Sequence, residues 1–137
     1  MPTLSVGRVS RARTLGALGL VVVLLRCDRP AGDPARAVTA RTQVHTFMGA
    51  LGIYKLDTGR FPTTEEGMQA LRVRPPGVTG WNGPYLEQDV PKDPWGHEYL
   101  YKYPGDHGDA PDIICLGADD APGGDGINAD IVSWDKR

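Results

Sequence analysis

The residues best suited to chemistry lie in an acidic loop near the C-terminus, residues 116–130. Its sequence, LGADDAPGGDGINAD, carries an asparagine, four glycines and four aspartates, which are Asp119, Asp120, Asp125 and Asp130. Repulsion between neighbouring carboxylates is offset by a hard cation, and Ca²⁺ takes about six to eight oxygen ligands from carboxylates and backbone carbonyls. Glycines let the backbone turn its carbonyls inward. The loop therefore indicates a calcium site, with a solvated hairpin loop as the alternative.

Other metal and catalytic patterns are absent from the sequence or incomplete. The EF-hand spacing is missing, and residues 123–128 match a single imperfect copy of a glycine-rich calcium nonapeptide that works only in tandem repeats. His45, His97 and His107 do not have metal-ligand spacing. An enzyme would also need a nucleophile or paired carboxylates in a cleft. We therefore do not predict an enzyme, and keep as alternatives a small exported hydrolase and a calcium-stabilised binding module.

Composition predicts one small domain. The chain has 137 residues, of which 40% are hydrophobic, with 18 Gly and 12 Pro, so a modest core must hold many turns. The net charge of -2 gives no basic footprint for a nucleic acid. Cys27 lies beside an N-terminal apolar run, whereas Cys115 lies in a predicted strand. We expect Cys115 to be a buried hydrophobic residue without a disulfide bond.

The N-terminal part resembles a targeting segment. Residues 1–13 are basic, and the apolar run of residues 15–25 is shorter than the roughly 20 residues that span a bilayer. A basic stretch followed by such a run is typical of an export signal or membrane anchor. Two prolines and a glycine in residues 28–34 indicate a linker. We predict a targeting or anchor segment and linker over residues 1–34, and a globular domain over residues 35–137.

The globular domain is predicted to be α+β. A helix from Ala35 to about Asp57 carries an apolar stripe at helical spacing, and Gly59 provides its left-handed C-cap. The stripe consists of Val44, Phe47, Met48, Leu51 and Tyr54.

Shorter elements are predicted after this helix. Thr63 and Glu66 form a capping box for a short helix ending near Leu71, and Trp81 and Tyr85 anchor the following loop. Strands are predicted at residues 98–103, 112–116 and 131–134, with Tyr99, Tyr101 and Tyr103 on one face of the first strand. The long helix is expected to pack on a small antiparallel sheet.

Three blocks of sequence carry a family resemblance. They are YKLDTGRFPTTEEG at residues 54–67, PKDPWG at residues 91–96, and DIICLGAD at residues 112–119 with ADI at residues 129–131 and Trp134. In this order they resemble the major pseudopilin of type II secretion systems, the general secretion pathway protein G family. The resemblance covers about residues 35–135.

The resemblance implies a pilin-like fold and a structural role. Members of the family self-associate into a short periplasmic filament, the pseudopilus, which helps to drive folded exoproteins across the outer membrane. The expected partners are further copies, minor pseudopilins and inner-membrane secretion components, with no nucleic acid. The expected location is the inner membrane of a Gram-negative bacterium, with the globular domain in the periplasm.

The resemblance also implies calcium in the acidic loop. Asp119 and Asp130 match the family's loop acids best, and Leu116 and Ala121 fall where backbone carbonyls are supplied. Asp125 is a weaker candidate, and Asp120 and Asn128 stay unassigned alternatives. The N-terminus departs from the family pattern, because Ala12, Arg13 and Ala17 stand where the family has the Gly, Phe and Glu of its peptidase site. The sequence therefore does not predict processing by the prepilin peptidase.

Overall fold

A computed structural model describes residues 34–136, in which one long helix precedes a three-stranded sheet. The elements in chain order are helix α1 (Pro34–Thr58), a 3₁₀ turn (Met68–Leu71), strand β1 (Leu100–Lys102), strand β2 (Asp112–Cys115), two further 3₁₀ turns (Gly117–Asp119 and Gly126–Asn128) and strand β3 (Ile131–Val132). The α+β prediction is confirmed. The predicted targeting segment lies outside the described residues, apart from Pro34. Within residues 34–136 no helix has the length and apolar character to cross a membrane.

Helix α1 buries the predicted stripe against the sheet. Leu51 and Tyr54 are fully buried, Val44 and Phe47 nearly so, and Met48 is half-buried. The predicted helix ends agree with the structure to within one residue. Gly59 has a φ of 82°, and its N–H donates to the Lys55 carbonyl at 2.8 Å. This left-handed residue ends the helix as predicted.

The sheet is antiparallel in the order β1-β2-β3. Tyr101 pairs with Ile113, and Cys115 pairs with Ile131. Tyr99 is buried and meets the Phe47 ring edge-on at a centroid distance of 5.1 Å, whereas Leu100 is exposed on the other face. The predicted division of these side chains between the two faces is therefore correct.

All three strands are shorter than predicted, and the ends of β2 and β3 have local reasons. Strand β2 ends at Cys115 because Gly117 has a φ of 71° and turns the chain away. Strand β3 ends at Val132, since the next residues form a turn. Ser133 still holds this end to β2: its Oγ accepts the Ile113 N–H at 3.0 Å, and its N–H donates to the Ile113 carbonyl at 3.0 Å.

Polar side chains hold the connection between α1 and the sheet. The predicted capping box is present, with reciprocal bonds between Thr63 and Glu66 of 2.9 and 3.2 Å. Arg60 adds two bonds of 2.7 Å to the same carboxylate, which lowers the pKa of Glu66. The predicted short helix is wrong in form. Gly67 has a φ of 58°, so a turn is followed by a separate 3₁₀ turn.

The loop after the 3₁₀ turn is fastened by the two predicted aromatic anchors. The Trp81 indole donates to the Ala70 carbonyl at 2.8 Å. The Tyr85 hydroxyl donates to the Asp57 carboxylate at 2.9 Å, which ties the loop to the end of α1.

The stripe can be tested with two leucines on the same helix. Leu51→Ala removes a fully buried side chain and is expected to lower the free energy of unfolding by about 2–5 kcal/mol. Leu56→Ala, at a side chain that is 84% exposed, is the matched control and should change it by less than about 0.5 kcal/mol. Urea denaturation followed by circular dichroism measures both. Equal costs for the two variants would contradict the observed packing.

Candidate metal site in the acidic loop

The acidic loop folds into two 3₁₀ turns that lie side by side. Gly117 and Gly124 make this approach feasible, with φ angles of 71° and 85°. A Cβ at Gly117 would lie 2.8 Å from the carbonyl group of Asn128, and one at Gly124 would lie 2.6 Å from its oxygen. Contacts this short exclude any side chain, so glycine is required at both positions.

Asp130 is the acid most firmly built into this loop. It immediately precedes β3 and is half-buried. Its Oδ2 accepts the Gly123 N–H at 2.9 Å, so it ties the tip of the loop to the start of the strand. Its Oδ1 is buried and has no hydrogen-bond partner among the described residues.

The other predicted ligands lie around the two turns. Asp119 is exposed, and its Oδ1 accepts the Ala121 N–H at 3.3 Å. Leu116 is half-buried where the chain leaves β2. Asp125 is exposed, and its carbonyl accepts the Asn128 N–H at 3.1 Å. The structure thus places Leu116 and Asp119 on one turn and Asp125 beside the other, with Ala121 between the two turns.

The donor set suits a hard cation that takes much of its coordination from the backbone. A buried carboxylate oxygen without a partner costs about 1–3 kcal/mol or more, and a bound cation would remove that cost at Asp130. Between residues 34 and 136, no three His, Cys, Asp or Glu side chains are grouped to bind a metal. An ion in the loop would therefore need backbone carbonyls beside the carboxylates, as Ca²⁺ accepts.

The buried carboxylate of Asp93 holds two residues next to the loop, His97 and Cys115. The sequence did not indicate this role. Asp93 is 4% exposed, and its Oδ1 accepts the N–H groups of Trp95 and His97, both at 2.9 Å. Its Oδ2 accepts the Cys115 thiol at 3.3 Å. An aspartate that bonds the backbone two residues later is a recognised turn signal, and it fits the Pro- and Gly-rich segment of residues 91–96. Its contact with Cys115 had no signal in the sequence.

His97 lies between this carboxylate and the acidic loop. Its Nδ1 is 3.3 Å from the Gly117 carbonyl oxygen, 3.7 Å from Asp93 Oδ2 and 3.9 Å from Asp120 Oδ1. Asp120 has a φ of 52°, a left-handed conformation that aspartate tolerates better than most residues.

A second histidine, His107, holds the C-terminal segment near Asp112, the first residue of β2. The His107 ring stacks on Trp134 at a centroid distance of 3.6 Å, and its Nδ1 lies 2.8 Å from Asp112 Oδ2. The Asp112 side chain is 6% exposed. The contact between a turn residue and Trp134 depends on strand pairing, so spacing in the sequence could not have indicated it.

The histidine, carboxylate and thiol beside the loop do not form a nucleophilic site. Cys115 is completely buried, as predicted, and among residues 34–136 it is the one cysteine and is not in a disulfide bond. Burial, with the nearby Asp93 carboxylate, raises the pKa of the Cys115 thiol to about 12. The thiolate, which is the nucleophilic form, is therefore scarce at neutral pH.

Comparison with known proteins identifies one family. The family model described as type II secretion system (T2SS), protein G, matches residues 30–134. Type II secretion system core protein G of Vibrio cholerae is 40% identical over 88% of this chain and 82% of its own length. The protein of the same name from Pseudomonas aeruginosa is 38% identical over 89% of this chain and 86% of its own length.

A solved structure shares both fold and sequence with this chain. It is the major pseudopilin from the type 2 secretion system of enterohaemorrhagic Escherichia coli, which superposes with a TM-score of 0.63 at 32% identity. The match covers 74% of this chain and 89% of that one.

The state of the buried thiol can be measured directly. Native protein treated with iodoacetamide at neutral pH should leave Cys115 unmodified, with alkylation about a thousandfold slower than for an ordinary thiol because its pKa is raised to about 12. Peptide mass spectrometry locates the modification, and the same treatment in denaturant is the control that should alkylate Cys115 fully. Rapid alkylation of Cys115 in native protein would show that this thiol is accessible and ionised.

Proposed function

We propose that this chain works as a subunit of the pseudopilus. It belongs to the type II secretion system protein G family. Copies of the chain assemble with one another and with minor pseudopilins, while inner-membrane secretion components build the filament. The segment before α1 attaches the subunit to the inner membrane, and the domain that follows lies in the periplasm. The observation that carries this proposal is the match over residues 30–134 to a family whose solved member has the same helix on a small sheet.

The surface of α1 is consistent with assembly. Val38, Ile53 and Leu56 are apolar side chains that are 59%, 53% and 84% exposed on the described part of the chain. With 100° between successive residues of an α-helix, Val38 and Leu56 fall on the same line along α1 and Ile53 lies beside it. Ile53 and Leu56 are three residues apart and form a small exposed apolar pair on which another copy of the chain would pack, whereas Val38 lies about 27 Å from Leu56 along the helix axis.

We also propose that Ca²⁺ clamps the acidic loop. The carboxylates of Asp119 and Asp130 and the backbone carbonyls of Leu116 and Ala121 would hold the ion, which would neutralise the loop acids when bound. Asp125 is a further candidate, which would have to move closer on binding because no three such side chains of residues 34–136 are grouped to bind a metal. The support is the buried, unpartnered Oδ1 of Asp130, on a residue that already fastens the loop tip through Gly123. With the ion in place, the chain leaving β2 is tied to the chain entering β3.

Calcium should therefore raise the melting temperature of the protein, as a ligand that binds the folded state stabilises it by RT ln(1 + [L]/Kd). The expected gain is about 2.7 kcal/mol at a hundredfold excess of Ca²⁺ over Kd. Asp130→Asn keeps the shape of the side chain but removes its charge, and it should abolish most of the shift, as should Asp119→Asn. Scanning calorimetry in Ca²⁺ and in chelator measures it.

The matched control is Asp109→Asn, an exposed acid in the turn between β1 and β2, outside the acidic loop. This variant should keep the full calcium shift. A wild-type melting temperature that is the same in Ca²⁺ and in chelator would refute the calcium site. A full shift retained in both loop variants would refute the ligand set.

The secretion role can be tested in the bacterium that carries the gene. Deleting the gene should leave folded exoproteins in the periplasm, and the full chain supplied in trans should return them to the medium. Immunoblots of periplasm and medium for a secreted enzyme report the outcome. A cytoplasmic marker controls for lysis. Unchanged secretion in the deletion strain would count against the proposed role.

A further inference from the structure

His97 is the side chain that joins the acidic loop to the buried interior of the domain. Its backbone is fixed on both sides by Asp93, because the Asp93 N–H donates to the His97 carbonyl at 2.8 Å and the His97 N–H donates to Asp93 Oδ1 at 2.9 Å. The Asp93 side chain is fully buried and also accepts the thiol of Cys115, the last residue of β2. The imidazole therefore projects from a rigid base toward the point where the chain leaves β2.

The groups around Nδ1 define the tautomer of the ring. Three oxygen atoms surround Nδ1, and each can accept a hydrogen bond. They are the Gly117 carbonyl oxygen at 3.3 Å, Asp93 Oδ2 at 3.7 Å and Asp120 Oδ1 at 3.9 Å. A carbonyl oxygen can only accept a hydrogen bond, so Nδ1 carries the proton and donates it. The closest of the three contacts is to Gly117, so the ring fastens the first turn of the loop.

The contact with Gly117 acts on the backbone that carries the proposed ligands. Gly117 follows Leu116, whose carbonyl is a proposed ligand, and begins the 3₁₀ turn that ends at Asp119. Fixing the Gly117 carbonyl restricts the peptide planes on either side of it. Asp120, the next acid along the chain, lies near the same nitrogen in a left-handed conformation.

We infer that His97 is a positioning residue for the calcium loop: through its Nδ1–H it holds the Gly117 peptide in the orientation that lets Leu116 and Asp119 face a bound ion. This inference rests on the proposed calcium site. Outer residues that orient metal ligands typically affect affinity by about 10–100-fold when they are removed. His97 would preorganise the loop before the ion binds, so that less backbone freedom is lost on binding.

The test uses three substitutions at one position in the full chain. His97→Asn places an amide N–H close to the position of Nδ1, whereas His97→Gln extends the amide beyond it and His97→Ala removes the donor. Calcium affinity, from competition with a chelator of known affinity, should fall by about 10–100-fold in the alanine and glutamine variants. The asparagine variant should stay within about threefold of the wild type, because it keeps the donor.

A second measurement examines the loop without the ion. Hydrogen exchange in chelator should show faster exchange at the amides of residues 117–121 in His97→Ala than in the wild type or His97→Asn. The amides of α1 should exchange at unchanged rates, which shows that the loop alone is released. Leu56→Ala, at an 84% exposed side chain near the C-terminal end of α1, is the control for truncation of a side chain outside the loop and should alter neither measurement.

The outcomes separate this inference from the calcium site itself. If wild-type protein binds no Ca²⁺, the site fails, while the exchange data still decide whether His97 holds the loop. If wild-type protein binds Ca²⁺ and all three variants bind it equally well, the positioning role is overturned and the site stands. Equal losses in the asparagine, glutamine and alanine variants would also overturn it, since a general packing defect would not distinguish the position of the donor.

Discussion

Burial of one face of α1 is the constraint on which the rest of the structure depends. The strands contain three, four and two residues, which is shorter than the usual strand of about five or six residues, so packing against a helix is needed to stabilise the sheet. It persists because β2 and β3 pack against α1, where Leu51 and Tyr54 are fully buried and the Phe47 ring meets Tyr99. The first 3₁₀ turn and strands β2 and β3 all contact α1, the first element of the described chain.

Because the strands are short and form few backbone hydrogen bonds, hydrogen bonds from polar side chains hold the connecting segments in place. The Glu66 carboxylate joins Arg60 to Thr63, and the Trp81 indole and Asp93 carboxylate fasten the long connection between the helix and the sheet. Each of these groups bonds backbone atoms or a charged partner, so little polar area is buried without compensation. The exception that bears on function is Asp130 Oδ1, which lies where an ion is proposed to bind.

The parts of the fold that depend on local patterns could be predicted from the sequence. The apolar stripe defined α1 to within one residue, Gly59 marked its end, and alternation assigned the faces of β1. The predicted strands β2 and β3 extend too far. The chain turns at Gly117, which has a positive φ, and at Ser133, whose side chain bonds β2 instead of continuing the strand. The candidate site is predicted from the composition of the loop and has not been tested. The contacts of Asp93 with Cys115 and of His97 with Gly117 join segments about 20 residues apart, so no periodic pattern in the sequence indicates them.

The position of the acidic loop explains why an ion and a histidine would matter there rather than elsewhere. Strand β3 has two residues, and two paired positions with the bonds of Ser133 hold it to β2. It is the weakest element of the sheet, yet it contacts α1 directly. A loop that is fixed at Gly117 by His97 and at Gly123 by Asp130 holds both ends of the connection into β3. Ordering of this loop would therefore stabilise the contact between β3 and α1, the helix on which the sheet packs.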